Sequence, residues 1–160
     1  MKIAFGADWV GFEHKKSLIG FIHRLGHEVI DMGGTSSEMN DYPDFAEKVG
    51  LAVANRQADL GILICGTGIG MSIAANKIPG VRAALCHDAF TTARSKAHND
   101  ANVLVFGAQV VSIPHAEELI ALWLSTDYDG GRHEPRLKKI CGLEDKNAPS
   151  ESYDHPQEQL

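Results

Sequence analysis

One stretch of this chain concentrates groups that could do chemistry: Cys65-Gly66-Thr67-Gly68-Ile69-Gly70. It follows a continuous apolar run, Leu60 to Ile64, and precedes a stretch with helical character, Met71 to Lys77. Alternating glycines let backbone amides approach a ligand closely and turn toward it. A cysteine at such a junction sits beside amides and a helix start, a setting that lowers a thiol pKa from its free value of about 8.5. The same amides offer a cradle for an oxyanion. A base next to an oxyanion cradle is what proton abstraction beside a carbonyl requires. From these residues alone, a buried structural cysteine beside a tight turn fits equally well.

Other candidates are sparser. Gly6-Ala7-Asp8-Trp9-Val10-Gly11, Cys86-His87-Asp88 and Gly107-Ala108-Gln109 each follow an apolar run. His98-Asn99-Asp100 ends a helical stretch; its histidine could carry a proton near neutral pH or simply cap helix carbonyls. Arg132 and Arg136 stand four residues apart. If Arg132 opens the last helix, both face one way and could grip a phosphate, or form a solvated surface pair. The eight histidines include no HExxH and no close Cys/His cluster, so no metal site is expected. The glycine loop lacks the Lys-Ser/Thr of a P-loop, and the first strand is followed by GxxxxG rather than GxGxxG. No nucleotide cofactor is expected. Cys86 and Cys141 lack the glycine setting of Cys65 and read as packing residues.

The elements that must hold these groups alternate regularly. Strands are expected at Lys2–Phe5, Glu28–Asp31, Leu60–Ile64, Val81–Leu85 and Val103–Phe106. Helices are expected at Phe12–Leu25, after Pro43 with Phe45, Val49 and Val53 on one face, and at Met71–Lys77, Ala89–Ala97, Pro114–Leu124 and His133–Leu143. A loop is expected over Gly33 to Ser36. This alternation implies right-handed βαβ units: an α/β, Rossmann-like three-layer fold with a five-stranded parallel sheet. Ligands in such folds bind beyond the carboxyl ends of the strands, where the Cys65 loop falls. A single domain over residues 1–145 is expected, followed by a polar, disordered tail over 146–160.

Bulk properties narrow the class. At 160 residues, 44% hydrophobic and 22% charged, the chain suits one globular core rather than two domains or disorder. A net charge of -6 argues against a general nucleic-acid or acidic-membrane binder. No apolar run approaches a membrane span, and the N-terminus enters a strand with no basic and apolar leader. Three widely spaced cysteines form no disulfide framework, which suits a reducing cytoplasm.

The chain resembles the type B ribose-5-phosphate isomerase family, which includes the galactose-6-phosphate isomerase subunits. The matching segments are Lys2 to Asp8, Asp41-Tyr42-Pro43, ICGTGIGMSIAANK at Ile64 to Lys77, PGVRAA at Pro79 to Ala84, HNDANV at His98 to Val103, and GGRHEPR at Gly130 to Arg136. The resemblance implies a metal-independent, cofactor-free aldose-ketose isomerase. It implies that Cys65 shuttles a proton between carbons 1 and 2 while Thr67 and the amides of Gly66, Gly68 and Gly70 hold the enediolate oxygens. His98 would assist ring opening; Asp8, Tyr42 and Asn99 would bind sugar hydroxyls, and Arg132 and Arg136 the phosphate. Homodimers or homotetramers, with the site at the dimer interface, are also implied. Two positions depart from the family pattern: Trp9 stands where a histidine is usual and Gln109 where an arginine is usual. They leave open another phosphorylated aldose of four or six carbons, or a sugar-phosphate-binding protein with weak catalysis.

Overall fold

The computed structural model describes residues 1–34 and 39–146. Five strands, β1 (Lys2–Ala7), β2 (Glu28–Asp31), β3 (Leu60–Cys65), β4 (Ala83–Leu85) and β5 (Val103–Gly107), form one sheet in the order β2-β1-β3-β5-β4. Every neighbouring pair is parallel. The helices are α1 (Phe12–Arg24), α2 (Tyr42–Ala54), α3 (Ile69–Ala75), α4 (Ala89–Asn99), α5 (Ile113–Ser125) and α6 (Glu134–Lys146). A 3₁₀ turn over Gly131–His133 leads into α6. Among the described residues, no helix is long and apolar enough to cross a membrane.

Both faces of the sheet are covered, so its strands read as continuous apolar runs. Their side chains still sort by alternation. Ile3, Phe5, Leu60, Ile62, Ile64, Leu104 and Phe106 pack on one side with Leu18 and Ile22 of α1 and Leu119 and Trp123 of α5. Ala4, Leu63, Cys65, Val103 and Val105 pack on the other with Phe45, Val49 and Val53 of α2 and Met71 of α3. Cys65 therefore faces the α2–α3 layer. The order of strand addition reverses at β1, with β2 on one side of it and β3 on the other, and this opens a crevice at the carboxyl ends of β1 and β3.

The three-layer fold and its five parallel strands are as expected, with some boundaries moved. β4 starts at Ala83 rather than Val81, because the Arg82 amide is taken by the Asn102 side chain and the ladder begins one residue later. α3 opens two residues earlier than expected, at Ile69, and ends at Ala75. Arg132 lies in the 3₁₀ turn before the last helix rather than opening it. Cys141 is exposed, not packed, because much of the apolar side of α6 stands clear of its own chain: Ile140 and Leu143 are exposed too. Of the expected loop, Gly33 and Gly34 are described while Thr35 and Ser36 lie outside the described residues. The expected tail also lies outside them, apart from Lys146, which closes α6.

Lys15 of α1 is fully buried, and its ammonium ion bonds to Asp31 at the end of β2 and to the Gly33 carbonyl, 2.7 Å away. It ties the chain leaving β2 to α1. Since Asp31 keeps 42% of its side chain exposed, water can partly replace a lost lysine. Lys15→Met should therefore cost about 1.5–3 kcal/mol, the range for hydrogen bonds to a charged group, rather than the full penalty of orphaning a buried charge. Thermal melts of the variant should show a lower Tm with the fold retained.

Candidate active site

The carboxyl edge of the sheet gathers most of the sequence-derived candidates. Cys65 is the last residue of β3 and is 5% exposed. Its Sγ accepts a hydrogen bond from the Gly68 amide at 3.2 Å. Gly68 adopts φ +79, and a Cβ there would collide with Leu85 and the Phe106 backbone. Thr67 is exposed, and its Oγ1 accepts from the Ile69 amide at 3.3 Å. The Tyr42 ring lies over Gly70, where a Cβ would come within 2.5 Å of it.

Across the crevice, Asp8 follows β1 and is 6% exposed. Its Oδ1 accepts from the amides of Val10 and Gly11, both at 3.0 Å, and so shapes the turn into α1. Burial pushes its carboxyl pKa up, and the two amides only partly offset that. The Trp9 indole is half-exposed, while its amide donates to Asn40 Oδ1 at 3.0 Å. Gln109 places its Oε1 3.2 Å from where a Gly66 Cβ would stand. Cys65, Gly66, Thr67, Gly68, Gly70, Asp8, Trp9, Tyr42 and Gln109 thus belong to one edge.

The remaining candidates form a second group at the opposite edge. Asp88 caps the start of α4 near the carboxyl end of β4, and the helix runs back to Asn99 beside the amino end of β5. Eleven residues of helix span about 16 Å. His98 and Asn99 are carried that far from the Cys65 edge. There they join Arg132, His133, Arg136 and Leu137 around an open concavity of ≈ 390 Å³. The His98 Nε2 lies 3.0 Å from Arg94 Nη1 and 3.8 Å from Asp129 Oδ2. The His133 ring stacks on it, centroids 4.1 Å apart. Desolvation, and then the positive charge of His98, Arg132 and Arg136, push the His133 pKa down. A neutral His133 can accept from Arg132 Nε, 3.3 Å away. Arg136 donates to the Arg132 carbonyl at 2.6 Å, so the two arginines are braced as a pair.

His98, Asp129 and His133 also place ligand atoms within 4.8 Å of one another, a grouping that could hold a metal ion and that sequence spacing did not reveal. Two near-parallel stacked rings aim their lone pairs side by side rather than at one point. Three arginines around them favour an anion over a cation.

Sequence reasoning missed several supporting residues. Asp100, at φ 45, closes α4 and receives Arg82 Nη2 at 2.9 Å and Lys96 Nζ at 3.2 Å, which fixes His98 and Asn99 just before it. The HND run carried that signal. His133 lay in view between the two arginines. Asn40 and Asp129 had no local signal, because their partners are distant in sequence.

The model of the ribose/galactose isomerase family matches residues 3–140. The chain belongs to this family. It is 48% identical to ribose-5-phosphate isomerase B of Escherichia coli (strain K12), over 91% of this chain and 97% of that protein. It is 38% identical to D-erythrulose-4-phosphate isomerase of Pectobacterium atrosepticum, over 88% of this chain and 93% of that protein. The solved structure of Clostridium thermocellum ribose-5-phosphate isomerase B superposes with a TM-score of 0.91 at 45% identity, covering 92% of this chain and all of that one.

The raised pKa of Asp8 has a consequence for stability. The folded chain holds this proton more tightly than the unfolded chain, so the stabilising contribution is full below the ordinary carboxylate range and is lost as pH rises through the raised pKa. At neutral pH the buried charge is a net cost. Asp8→Asn keeps an oxygen for the Val10 and Gly11 amides without the charge. Melting the variant and the parent side by side should show a higher Tm for Asp8→Asn at pH 7. The gap should close near pH 4.

Proposed function

We propose that this chain is an aldose-ketose isomerase interconverting ribose 5-phosphate and ribulose 5-phosphate, with Cys65 as base. The observation that carries the reading is the Gly68 amide on Cys65 Sγ inside a glycine loop at the carboxyl edge. In the forward direction the Cys65 thiolate removes the proton from carbon 2 of the open aldose. A carbon 1–carbon 2 double bond forms, and the carbonyl electrons move onto oxygen 1. Thr67 and the loop amides of Gly66, Gly68 and Gly70 stabilise that charge. The hydroxyl proton on oxygen 2 then passes to oxygen 1, the carbonyl re-forms at carbon 2, and the Cys65 thiol returns its proton to carbon 1. No electrons leave the substrate, and no redox cofactor takes part. Asp8, Tyr42 and Asn99 hold hydroxyls, His98 assists ring opening, and Arg132 and Arg136 hold the phosphate. The free cysteines suit a reducing cytoplasm.

A five-carbon phosphate is much shorter than the separation of the two groups, so one chain does not wrap it from both sides. The reading therefore includes a homodimer, alone or paired into a tetramer. In a two-fold pair, the His98–Arg132–Arg136 edge of one copy meets the Cys65 edge of its partner, and two equivalent sites form. The exposed apolar residues of α6, and Ile69 and Ile73 of α3, suit such burial.

A second reading rests on Trp9 and Gln109. The indole brings bulk and a single N–H donor but no acid or base, and Gln109 brings no charge. Both sit beside the Cys65 loop. This favours a different phosphorylated aldose, of four or six carbons, as the preferred substrate.

Cys65→Ala should lower turnover of ribose 5-phosphate by at least about 10²-fold, the low end for general acid-base catalysis. Co-expressing it with an Arg132→Ala/Arg136→Ala chain should restore about a quarter of wild-type activity. Half the dimers are then mixed, and each mixed dimer holds one intact site of two. A Cys65→Ala enzyme near wild type would end the assignment, and a silent mixture would end the shared site.

The substrate question needs a panel of four-, five- and six-carbon phosphosugars. Converting Trp9→His together with Gln109→Arg should raise the kcat/KM ratio of ribose 5-phosphate over the best alternative, mainly through KM. An unchanged ratio means these positions do not set specificity.

A further inference from the structure

The carboxyl end of β4 holds a histidine that the isomerase chemistry above does not use. Cys86-His87-Asp88 lies beyond the last β4–β5 ladder pair, Leu85 with Val105. The Cys86 amide still reaches the Val105 carbonyl at 2.9 Å, and then β4 departs. The next inward amide of β5, that of Gly107, would lose its partner. It donates instead to the His87 ring, Nε2 at 3.1 Å. An imidazole has taken the place of a strand carbonyl.

Gly107 is the floor under the reaction loop. It pairs with Cys65 across the β3–β5 ladder. A Cβ on it would stand 2.6 Å from the Thr67 carbonyl carbon and 2.7 Å from the Gly66 carbonyl oxygen. The next two amides, of Ala108 and Gln109, donate to the carbonyls of Cys65 and Gly66 at 2.8 and 3.0 Å. A shift of Gly107 therefore moves Gly66 and Thr67, with nothing soft between them.

We infer that His87 is a positioning residue for the Cys65 loop: it holds the Gly107 amide only as a neutral ring with its proton on Nδ1, so its protonation releases the floor of the oxyanion cradle. The inference rests on the reading of that loop as the reaction centre.

The titratable groups nearest His87 have partners of their own and leave its ring to the Gly107 amide. From α5, His115 Nε2 lies 3.1 Å from the His87 carbonyl and His115 Nδ1 lies 3.3 Å from Glu118 Oε2. Facing an acceptor on both sides, His115 favours the cation; the Glu118 carboxylate and then the His87 carbonyl push its pKa up. From α4, the Asp88 carboxylate is engaged by the Thr91 amide at 2.8 Å and the Thr91 hydroxyl at 2.6 Å, which hold its pKa down. The ring nitrogens of these two neighbouring histidines face opposite kinds of partner. His115 meets acceptors; His87 Nε2 meets a donor. Protonated His87 would present N–H to N–H.

The test uses the full-length enzyme with ribose 5-phosphate and two variants. His87→Leu keeps bulk without an acceptor. His87→Gln offers an oxygen at about the same reach that does not titrate. His87→Leu should lose about tenfold in kcat, the size of one hydrogen bond, with KM little changed, because the cradle acts on the enediolate rather than the phosphate. His87→Gln should recover most of that loss and flatten the acid limb of kcat that His87 contributes. In the wild-type enzyme, the Gly107 amide resonance should shift with the same midpoint as the His87 ring nitrogens, and it should be flat in His87→Gln. Wild-type kcat in His87→Leu overturns the inference, as does His87→Gln no better than His87→Leu. So does a Gly107 amide indifferent to His87 protonation. That last reading needs no turnover and no variant. It therefore stands if His87→Leu fails to fold, and it separates failure here from failure of the isomerase reading.

Discussion

No side chain fits between β5 and the loop that follows β3. The backbone of Gly66 and Thr67 rests on Gly107 so closely that a single methyl group would overlap it. Everything else at the carboxyl edge follows from that contact. With the loop seated there, Gly68 takes its left-handed conformation, its amide turns to the Cys65 sulfur, and α3 starts immediately after. The Tyr42 ring closes over Gly70 because Gly70 leaves it room. Each glycine of this loop meets its own neighbours: Gly68 meets Leu85 and Phe106, Gly66 meets Gln109, and Gly70 meets Tyr42.

The second constraint is the course of α4. A helix that follows one parallel strand and precedes the next must return along the sheet. Its first residue and its last therefore serve opposite edges. The structure uses both ends: Asp88 caps at one, and His98 with Asn99 stands at the other, anchored by Asp100 to Arg82 and Lys96. The arginines join the far edge through the turn after Asp129, whose amide donates to the Ala97 carbonyl at 2.9 Å. The chain thus builds a basic, histidine-stacked concavity and a thiol-bearing glycine loop that do not meet within one copy.

Much of this was legible in the sequence. The apolar run from Leu60 ends where the chemistry begins, and continuous strands alternating with 3.6-period helices left few topologies to consider. The Cys65 loop could be read because its contacts are local. Other features could not, for identifiable reasons. Resemblance assigns His98 and Cys65 to one site at a dimer interface, and the return path of α4 puts them at opposite edges of a single copy. Val81 is buried and β-branched, so it reads as strand; only the Asn102 side chain, twenty residues past Arg82, decides that the ladder starts later. Cys141 reads as packing in a periodic helix, but periodicity does not say whether a partner surface belongs to the same chain. His87 bonds to a backbone amide twenty residues on, and an amide has no letter in a sequence.

The far-edge anchoring of α4 makes that helix a fixed-length spacer. Its start is pinned by the Asp88 cap and its end by Asp100, so His98 has one rotational phase as well as one height. Adding or removing one residue between them would turn His98 by about 100° and move it about 1.5 Å along the axis. The stack on His133 and the approach to Asp129 would both be lost. Substitutions on the solvent side of α4 leave that phase alone, whereas a change in residue count cannot be absorbed anywhere along it. Across related chains, α4 should therefore vary in composition while keeping its length, and insertions should collect in the loops on either side.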